Sequence, residues 1–165
     1  MVCFMLSTTI AFSNEPTHKP EISAVKLEIT THLGDQQNFV ENDLISFYIS
    51  LDQPAYIYAF YQDATGKIFQ LIPGLIQKQH FYLAGLYQPL PSENAAFKFF
   101  VQQPFGKETI WVYASDNGSF DSDNEKSGDS IQQINMSLRE IEQEIKTSSN
   151  KVFDRASTVI HTRKK

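Results

Sequence analysis

The sequence predicts a mainly β protein: an immunoglobulin-like antiparallel β-sandwich with one C-terminal amphipathic helix packed on it. Three observations lead to this fold class. Short segments of residues 25–115 repeat apolar side chains with a period of two, which is typical of half-buried strands. Turn-forming Gly, Pro, Asp and Asn residues separate these segments at short intervals, as in sandwich domains. One later segment instead spaces its apolar residues by three and four positions, which indicates a helix.

Composition limits the classes of function. The chain has 165 residues, of which 41% are hydrophobic and 13% aromatic, enough for one core in a chain of this length. The net charge is −5, whereas nucleic-acid binding needs a cluster of basic residues, so no nucleic-acid partner is expected. The only cysteine, Cys3, cannot form an internal disulfide or a paired cysteine site for zinc or redox chemistry.

The N-terminus resembles an export signal. Residues 2–12 are uncharged and mostly apolar, and Ala11 and Ser13 place small residues before Asn14, as in the cleavage region of a secretory signal peptide. The positively charged start of such signals is missing, and an N-terminal strand or apolar tail is the alternative. We interpret residues 1–20 as a signal peptide and spacer, which predicts a periplasmic or secreted protein. The apolar run is too short to cross a bilayer, so no transmembrane span is predicted.

Residues 21–116 are predicted to form the sandwich. The predicted strands are residues 25–30, 44–51, 55–61, 67–72, 86–90, 96–102 and 109–115. Segments 55–61 and 109–115 are apolar on both faces and should be central, whereas 86–90 should be an edge strand. Asp63 and Gly66 predict a hairpin turn. A second turn follows Pro104, where Glu108 is expected to accept backbone N–H groups.

The C-terminal part begins with an acidic linker at residues 117–129, rich in Gly, Ser, Asp and Asn. Residues 130–165 are predicted to add a helix and a final edge strand to the same domain. The helix should run from Ser130 to Lys146, with a capping box formed by Ser130 and Gln133. Its apolar stripe consists of Ile131, Ile134, Leu138, Ile141 and Ile145. Residues 156–162 have the composition of the final strand.

An ordered set of local motifs resembles a bacterial family, the domain of unknown function 4384, over about residues 27–115. The motifs are the acidic turn and strand at 41–47, the hairpin at 55–73, the Leu-Ala-Gly and Tyr-Gln-Pro-Leu-Pro elements within 83–91, and the segment 103–115. Residues 71–74 read Leu-Ile-Pro-Gly where the family usually has Leu-Phe-Pro-Asn. The resemblance implies an accessory binding module of envelope or secreted proteins, and it brings no catalytic residues with it.

No spacing in the sequence predicts catalysis, a cofactor or a metal site. The four histidines do not pair at metal-ligand spacing, and no Gly-x-Ser-x-Gly elbow or phosphate-binding glycine loop is present. Residues 121–125 alternate carboxylates, but Lys126 and Gln132 stand where a calcium loop needs Gly and Glu. We therefore expect a protein that is not an enzyme and has no catalytic, cofactor-binding or metal-ligating residues.

Aromatic residues are the richest candidates for a binding surface. The candidate set, for a protein partner or ligand, is Tyr58, Tyr61, Phe81, Tyr82, Tyr87, Trp111 and Tyr113. The favoured hypothesis is an exported, non-enzymatic binding or assembly module of the bacterial cell envelope or secretion machinery. It would engage a protein partner through a sheet edge or this aromatic surface. The alternative is a glycan- or peptidoglycan-binding domain that stacks sugar rings on Tyr and Trp. A structural role for these aromatics beneath the helix is the competing interpretation.

Overall fold

A computed structural model describes residues 24–34, 38–74, 77–95, 97–120, 131–150 and 152–165. The described chain is a β-sandwich with one helix on its outer face, which confirms the predicted mainly β class. Its elements are β1 (Leu27–Thr31), β2 (Asn38–Val40), β3 (Leu44–Ile45), β4 (Phe47–Leu51), β5 (Ala55–Gln62), β6 (Ile68–Ile72), β7 (Phe81–Tyr82), β8 (Gly85–Leu90), β9 (Phe99–Phe100), β10 (Lys107–Ser115), β11 (Gln132–Ile134), α1 (Leu138–Ser148) and β12 (Phe153–Arg163).

The strands form two main sheets. The smaller sheet has the order β1-β4-β8 and the larger one the order β11-β6-β5-β10-β12-β2, with β7 also paired to β5. Strands β3 and β9 make a short separate pair. The two-faced apolar strands β5 and β10 are central, as predicted, and pair with each other in antiparallel register. One pair departs from the antiparallel prediction, because β2 runs parallel to the end of β12.

The core between the two sheets, which we call the inter-sheet core, is built mainly from aliphatic residues. Alternate positions of each strand point into it, because successive side chains of a strand lie on opposite faces. Its buried members include Leu27, Phe47, Ile49 and Leu51 from the small sheet and Ile57, Ala59, Ile110, Val112 and Ile160 from the large sheet.

The opposite face of the large sheet carries a second cluster, which we call the helix-side core. It contains Tyr58, Phe60, Ile68, Tyr113, Phe120, Ile134, Ile141 and Ile145. Ile141 and Ile145 are one helical turn apart and are both fully buried. The predicted helix therefore exists and packs on the sandwich through the predicted isoleucines.

The start of the predicted helix is wrong. The helix begins after Ser137, whose side chain accepts from the Glu140 backbone N–H while the Glu140 carboxylate accepts from the Ser137 N–H. Gln133 of the box predicted at Ser130 lies in β11 and so cannot cap a helix, and Ser130 itself lies outside the described residues. Residues 132–134 instead form a strand on β6. Ile134 is nevertheless buried beside the helical isoleucines, so a strand and a helix share the apolar stripe.

Two other strands differ from expectation. The final strand is longer than predicted and is not simply an edge, because residues 161–163 pair with β2 on the side away from β10. In the segment predicted as a strand at 96–102, the described residues 97–102 form only the two residues of β9. By contrast, β8 pairs only with β4 within the described chain and is the predicted edge strand.

The predicted signal peptide and spacer at residues 1–20 lie outside the described residues, as do positions 121–129 of the predicted linker. Among the first four linker positions, Phe120 is buried against the rings of Tyr58 and Phe60, whereas Ser119 is exposed. Among the described residues, no helix has both the length and the apolar composition needed to cross a membrane.

Candidate functional site

The seven aromatic candidates do not form one surface. Tyr58 and Tyr113 are fully buried in the helix-side core, and Trp111 is half-buried on the same face. The Tyr58 hydroxyl donates to the Asn117 carbonyl at 2.7 Å, and burial raises the pKa of Tyr113 to about 12. Tyr58 and Tyr113 are therefore structural residues and are removed from the candidate surface, because the helix and Phe120 cover them.

Two of the remaining candidates are exposed on the stretch that joins the sheets. Strand β7 pairs with the first residues of β5 in the large sheet, and β8 pairs with β4 in the small sheet. The chain crosses between the sheets at Leu83 and Ala84. Phe81 and Tyr87 lie on either side of this crossing and are exposed. Tyr82 is buried, and its hydroxyl accepts from the Gln77 amide at 2.9 Å.

The crossing presents an unusually apolar surface, and we call residues Phe81–Tyr87 the apolar loop. The residues Leu86, Tyr87 and Leu83 are 77%, 68% and 67% exposed. Between Lys78 and Glu93 the sequence contains no Asp, Glu, Lys or Arg. Single exposed apolar residues are ordinary on protein surfaces, but a contiguous group of them indicates a contact site.

Local hydrogen bonds hold the apolar loop in this conformation. The Gln88 amide donates to the Leu83 carbonyl at 2.9 Å, and the Tyr87 backbone N–H donates to the Ser50 hydroxyl at 3.2 Å. A Cβ atom at position 85 would lie 3.2 Å from the Gln88 side chain, so Gln88 packs closely against the backbone of Gly85. The exposed leucines are thus presented by a constrained loop.

A shallow polar groove lies on the outer face of the small sheet, next to the apolar loop. Tyr48 and Tyr87 supply its rings, and Glu28, Thr30 and Ser50 supply polar groups. Thr30 and Ser50 lie opposite Tyr48 and Glu28 across the β1–β4 pair. Tyr87 therefore belongs both to the apolar loop and to this groove.

Tyr61 lies at the other end of β5, where the inter-sheet core contains a cavity of about 370 Å³. Its hydroxyl donates to the Glu108 carboxylate at 2.8 Å. The Thr162 hydroxyl donates to the other Glu108 oxygen at 2.6 Å. Glu108 was expected to accept backbone N–H groups at a turn; instead it points into the core and accepts from two side-chain hydroxyls. Burial raises its pKa above the ordinary range of a glutamate.

Part of the chain is similar to a known protein family. Residues 38–117 match a family model, Domain of unknown function (DUF4384). The resemblance found in the sequence is thereby confirmed over this segment. No curated protein and no solved structure matches the chain significantly.

The DUF4384 segment runs from β2 through β10 and includes the apolar loop, Tyr61 and Glu108. The helix and β12 follow it, so Thr162, which holds one oxygen of Glu108, comes from outside the segment. The search for aromatic residues missed Leu83 and Leu86, the two most exposed leucines of the described residues. The charge-free run between Lys78 and Glu93 is the sequence signal that could have found them.

Proposed function

We propose that the protein is an exported, non-enzymatic binding module of the bacterial cell envelope or secretion machinery that docks a protein partner on the apolar loop. The exposure of Leu83, Leu86 and Tyr87 on one constrained loop is the observation that carries this proposal. The export-signal pattern of residues 2–13 and the accessory role implied by the DUF4384 resemblance support the cellular setting.

The energetics favour an apolar partner segment. Burying one exposed leucine stabilises a complex by roughly 1.5–3 kcal/mol, so two leucines and a tyrosine provide the apolar centre of a modest interface. Charged partner groups would find no counter-charge between Lys78 and Glu93. We therefore expect an extended or helical partner segment whose apolar side chains contact the loop, with its polar residues at the rim.

The exposed backbone of β8 should contribute less than the loop side chains. Pro89 lacks an N–H group, and Tyr87 has a positive φ of 53°, where the β4–β8 register shifts. Prolines and bulges are devices that discourage strand addition at an edge. The sheet edge therefore positions the loop, and side-chain contacts provide most of the proposed interaction.

Site-specific photo-crosslinking tests the docking. The full tagged chain is expressed in a bacterial host with a photo-reactive residue at position 86, and the crosslinked products are identified by mass spectrometry. We expect one dominant partner, whose yield from the probe at position 86 falls at least about tenfold in a Leu83→Ser, Tyr87→Ser variant (about 1.4 kcal/mol). A photo-reactive residue at Leu44, another exposed leucine, is the matched control.

The outcomes separate docking from export. Equal crosslinking from positions 86 and 44 would refute docking on the apolar loop. A crosslinked product made of two copies of this chain would show that the loop mediates self-association and would refute a foreign partner. Cell fractionation of the same tagged chain tests export independently: retention in the cytosol would refute the envelope setting while leaving a result at position 86 intact.

Glycan binding is the second candidate, because the groove on the small sheet combines two tyrosine rings with a carboxylate and hydroxyl groups. Two substitutions distinguish the candidates. Tyr48→Ser alters the groove and leaves the apolar loop intact, whereas Leu83→Ser alters the apolar loop and leaves the groove intact. Loss of peptidoglycan co-sedimentation with Tyr48→Ser but not with Leu83→Ser would favour the glycan function. Loss of protein crosslinking in the apolar-loop variant but not in Tyr48→Ser would favour protein docking.

A further inference from the structure

The cavity of the inter-sheet core is large enough for a small molecule. Its volume of about 370 Å³ lies within the range of ligand pockets. It is bounded by both sheets and by the segment from Phe97 to Pro104. Lys98 and Phe100 line it and are also exposed, so they mark its rim. The walls are mainly apolar, and they include the rings of Phe47, Tyr61, Phe69, Phe97, Phe99 and Phe100.

Two buried carboxylates line one end of this otherwise apolar cavity. Glu108 is only 5% exposed and Asp63 only 7% exposed. The Asp63 carboxylate accepts three hydrogen bonds at Oδ1, from the Thr65 N–H, the Thr65 hydroxyl and the Lys67 N–H. Neither carboxylate forms an ion pair within the described part of the chain.

Electrostatics make this arrangement complementary to a cation. A buried carboxylate that is held only by neutral hydroxyl groups has lost water without gaining an opposite charge, which is costly. Burial raises the pKa of Glu108, and the neighbouring negative charge of Asp63 raises it further. A positive group inside the cavity would pair with both carboxylates, and the surrounding aromatic faces also attract cations.

We propose that this cavity binds a small organic cation with apolar substituents, whose positive group lies against Glu108 and Asp63 and whose apolar part contacts the phenylalanine rings. Anionic ligands are disfavoured by the two carboxylates, and a neutral apolar molecule would leave them without a counter-charge. The cavity and the apolar loop lie at opposite ends of β5, next to Tyr61 and Tyr56 respectively. This inference is therefore independent of the proposed docking function.

Calorimetric titration of the full chain with benzyltrimethylammonium tests the inference. The neutral comparison is 2-phenylethanol, and the anionic one is 3-phenylpropanoate. We expect saturable binding of the cation only, weakened at least about tenfold by Glu108→Gln, a substitution that preserves the shape of the side chain. Glu144→Gln, which removes an exposed carboxylate of the helix, is the matched control and should leave the affinity unchanged.

Amide chemical shifts of the wild-type chain provide the second measurement, should Glu108→Gln fail to fold. The cation should shift the signals of Glu108, Ile110 and Phe99 and leave those of the apolar loop unchanged. The inference would be overturned if the cation failed to bind, if the neutral probe bound equally well, if Glu108→Gln and Glu144→Gln had equal effects, or if the shifts mapped elsewhere.

Discussion

The two cores on either side of the large sheet solve different packing problems. In the helix-side core, the ring of Phe60 contacts the rings of Phe120 and Tyr113 edge to face. Ile141 and Ile145 of the helix cover these rings and are themselves fully buried. The inter-sheet core is mainly aliphatic and ends in a cavity with a buried glutamate. Most aromatic rings of the described residues are therefore buried or half-buried, where they contribute to packing. The features that indicate binding lie where packing is incomplete.

The same contrast separates stability from recognition. The helix-side core hides its apolar surface, whereas the apolar loop displays comparable side chains to solvent. Substitutions in the first region should cost folding free energy, and substitutions in the second should cost binding but little stability. Four predictions test or refine this division, beginning with the largest effect.

Ile141→Ala should give the largest loss of stability. Ile141 is fully buried, so its truncation removes apolar contacts and leaves a void, at a cost of about 2–5 kcal/mol. Urea unfolding monitored by tryptophan fluorescence measures the change. Leu86→Ala is the matched control and should stay within about 0.5 kcal/mol of wild type, because Leu86 is exposed. Equal losses from the two variants would contradict the division between the regions.

Asp63→Ala should be the next most damaging change. One carboxylate oxygen organises the turn between β5 and β6 by accepting from two backbone N–H groups and one hydroxyl. Leaving such donors unsatisfied should cost about 1–3 kcal/mol in the same unfolding experiment. Asp63→Asn retains an acceptor oxygen and should recover part of the loss. No recovery in Asp63→Asn would show that the negative charge, rather than the acceptor geometry, is what matters.

Ser137→Ala tests the observed start of the helix. The substitution removes the side-chain acceptor for the Glu140 N–H, which should cost about 1 kcal/mol. Ser137→Asp supplies another good acceptor at the cap and should restore most of the stability. A loss in both variants would indicate that Ser137 acts through something other than capping, and no loss in Ser137→Ala would place the helix start elsewhere.

The helix shows why its existence was predictable but its start was not. Ile131, Ile134, Leu138, Ile141 and Ile145 keep helical spacing throughout. Periodicity reports which side is buried, and Ile134 in β11 faces the same core as Ile141 in the helix. The change from strand to helix is decided locally by the Ser137–Glu140 box. The sequence offers a similar spacing at Ser130 and Gln133, so the pattern alone did not identify which box is used.

The candidate surfaces show a similar limit. Tyr58 and Tyr61 were grouped in one candidate set, but they lie on opposite faces of β5, because positions three apart in a strand point to opposite sides. Alternation along the strand also does not tell which face a helix covers. Burial of Tyr58 depends on the distant Phe120 and on the helix. The environment of Glu108 depends on Thr162, which is separated from it by 54 positions. Such long-range contacts leave no local pattern, whereas the charge-free run around the apolar loop was visible in the sequence itself.

Glu108→Gln should produce the smallest effect, a change in pH dependence. Burial, partly opposed by the hydroxyl donors, raises the pKa of Glu108 above its ordinary value of 4.5. The folded state therefore holds this proton up to a higher pH than the unfolded state does. The resulting stability is fully present below the unfolded pKa and is lost as pH rises through the folded pKa. Glu108→Gln should remove this loss, so that thermal unfolding curves recorded upward from pH 4 decline less than those of wild type.

The pKa of Glu140 is shifted in the opposite direction from that of Glu108, so comparing the two variants tests whether burial causes the shift at Glu108. Hydrogen bonds from Ser137 lower the pKa of Glu140, so its contribution is present above the unfolded pKa and is lost as pH falls through the folded pKa. Glu140→Gln should therefore flatten the acid side of the profile, whereas Glu108→Gln should flatten the part above the unfolded pKa. If both variants altered the same side, burial could not be the cause at Glu108. The inter-sheet core would then lack the uncompensated carboxylate that distinguishes it from the filled core beneath the helix.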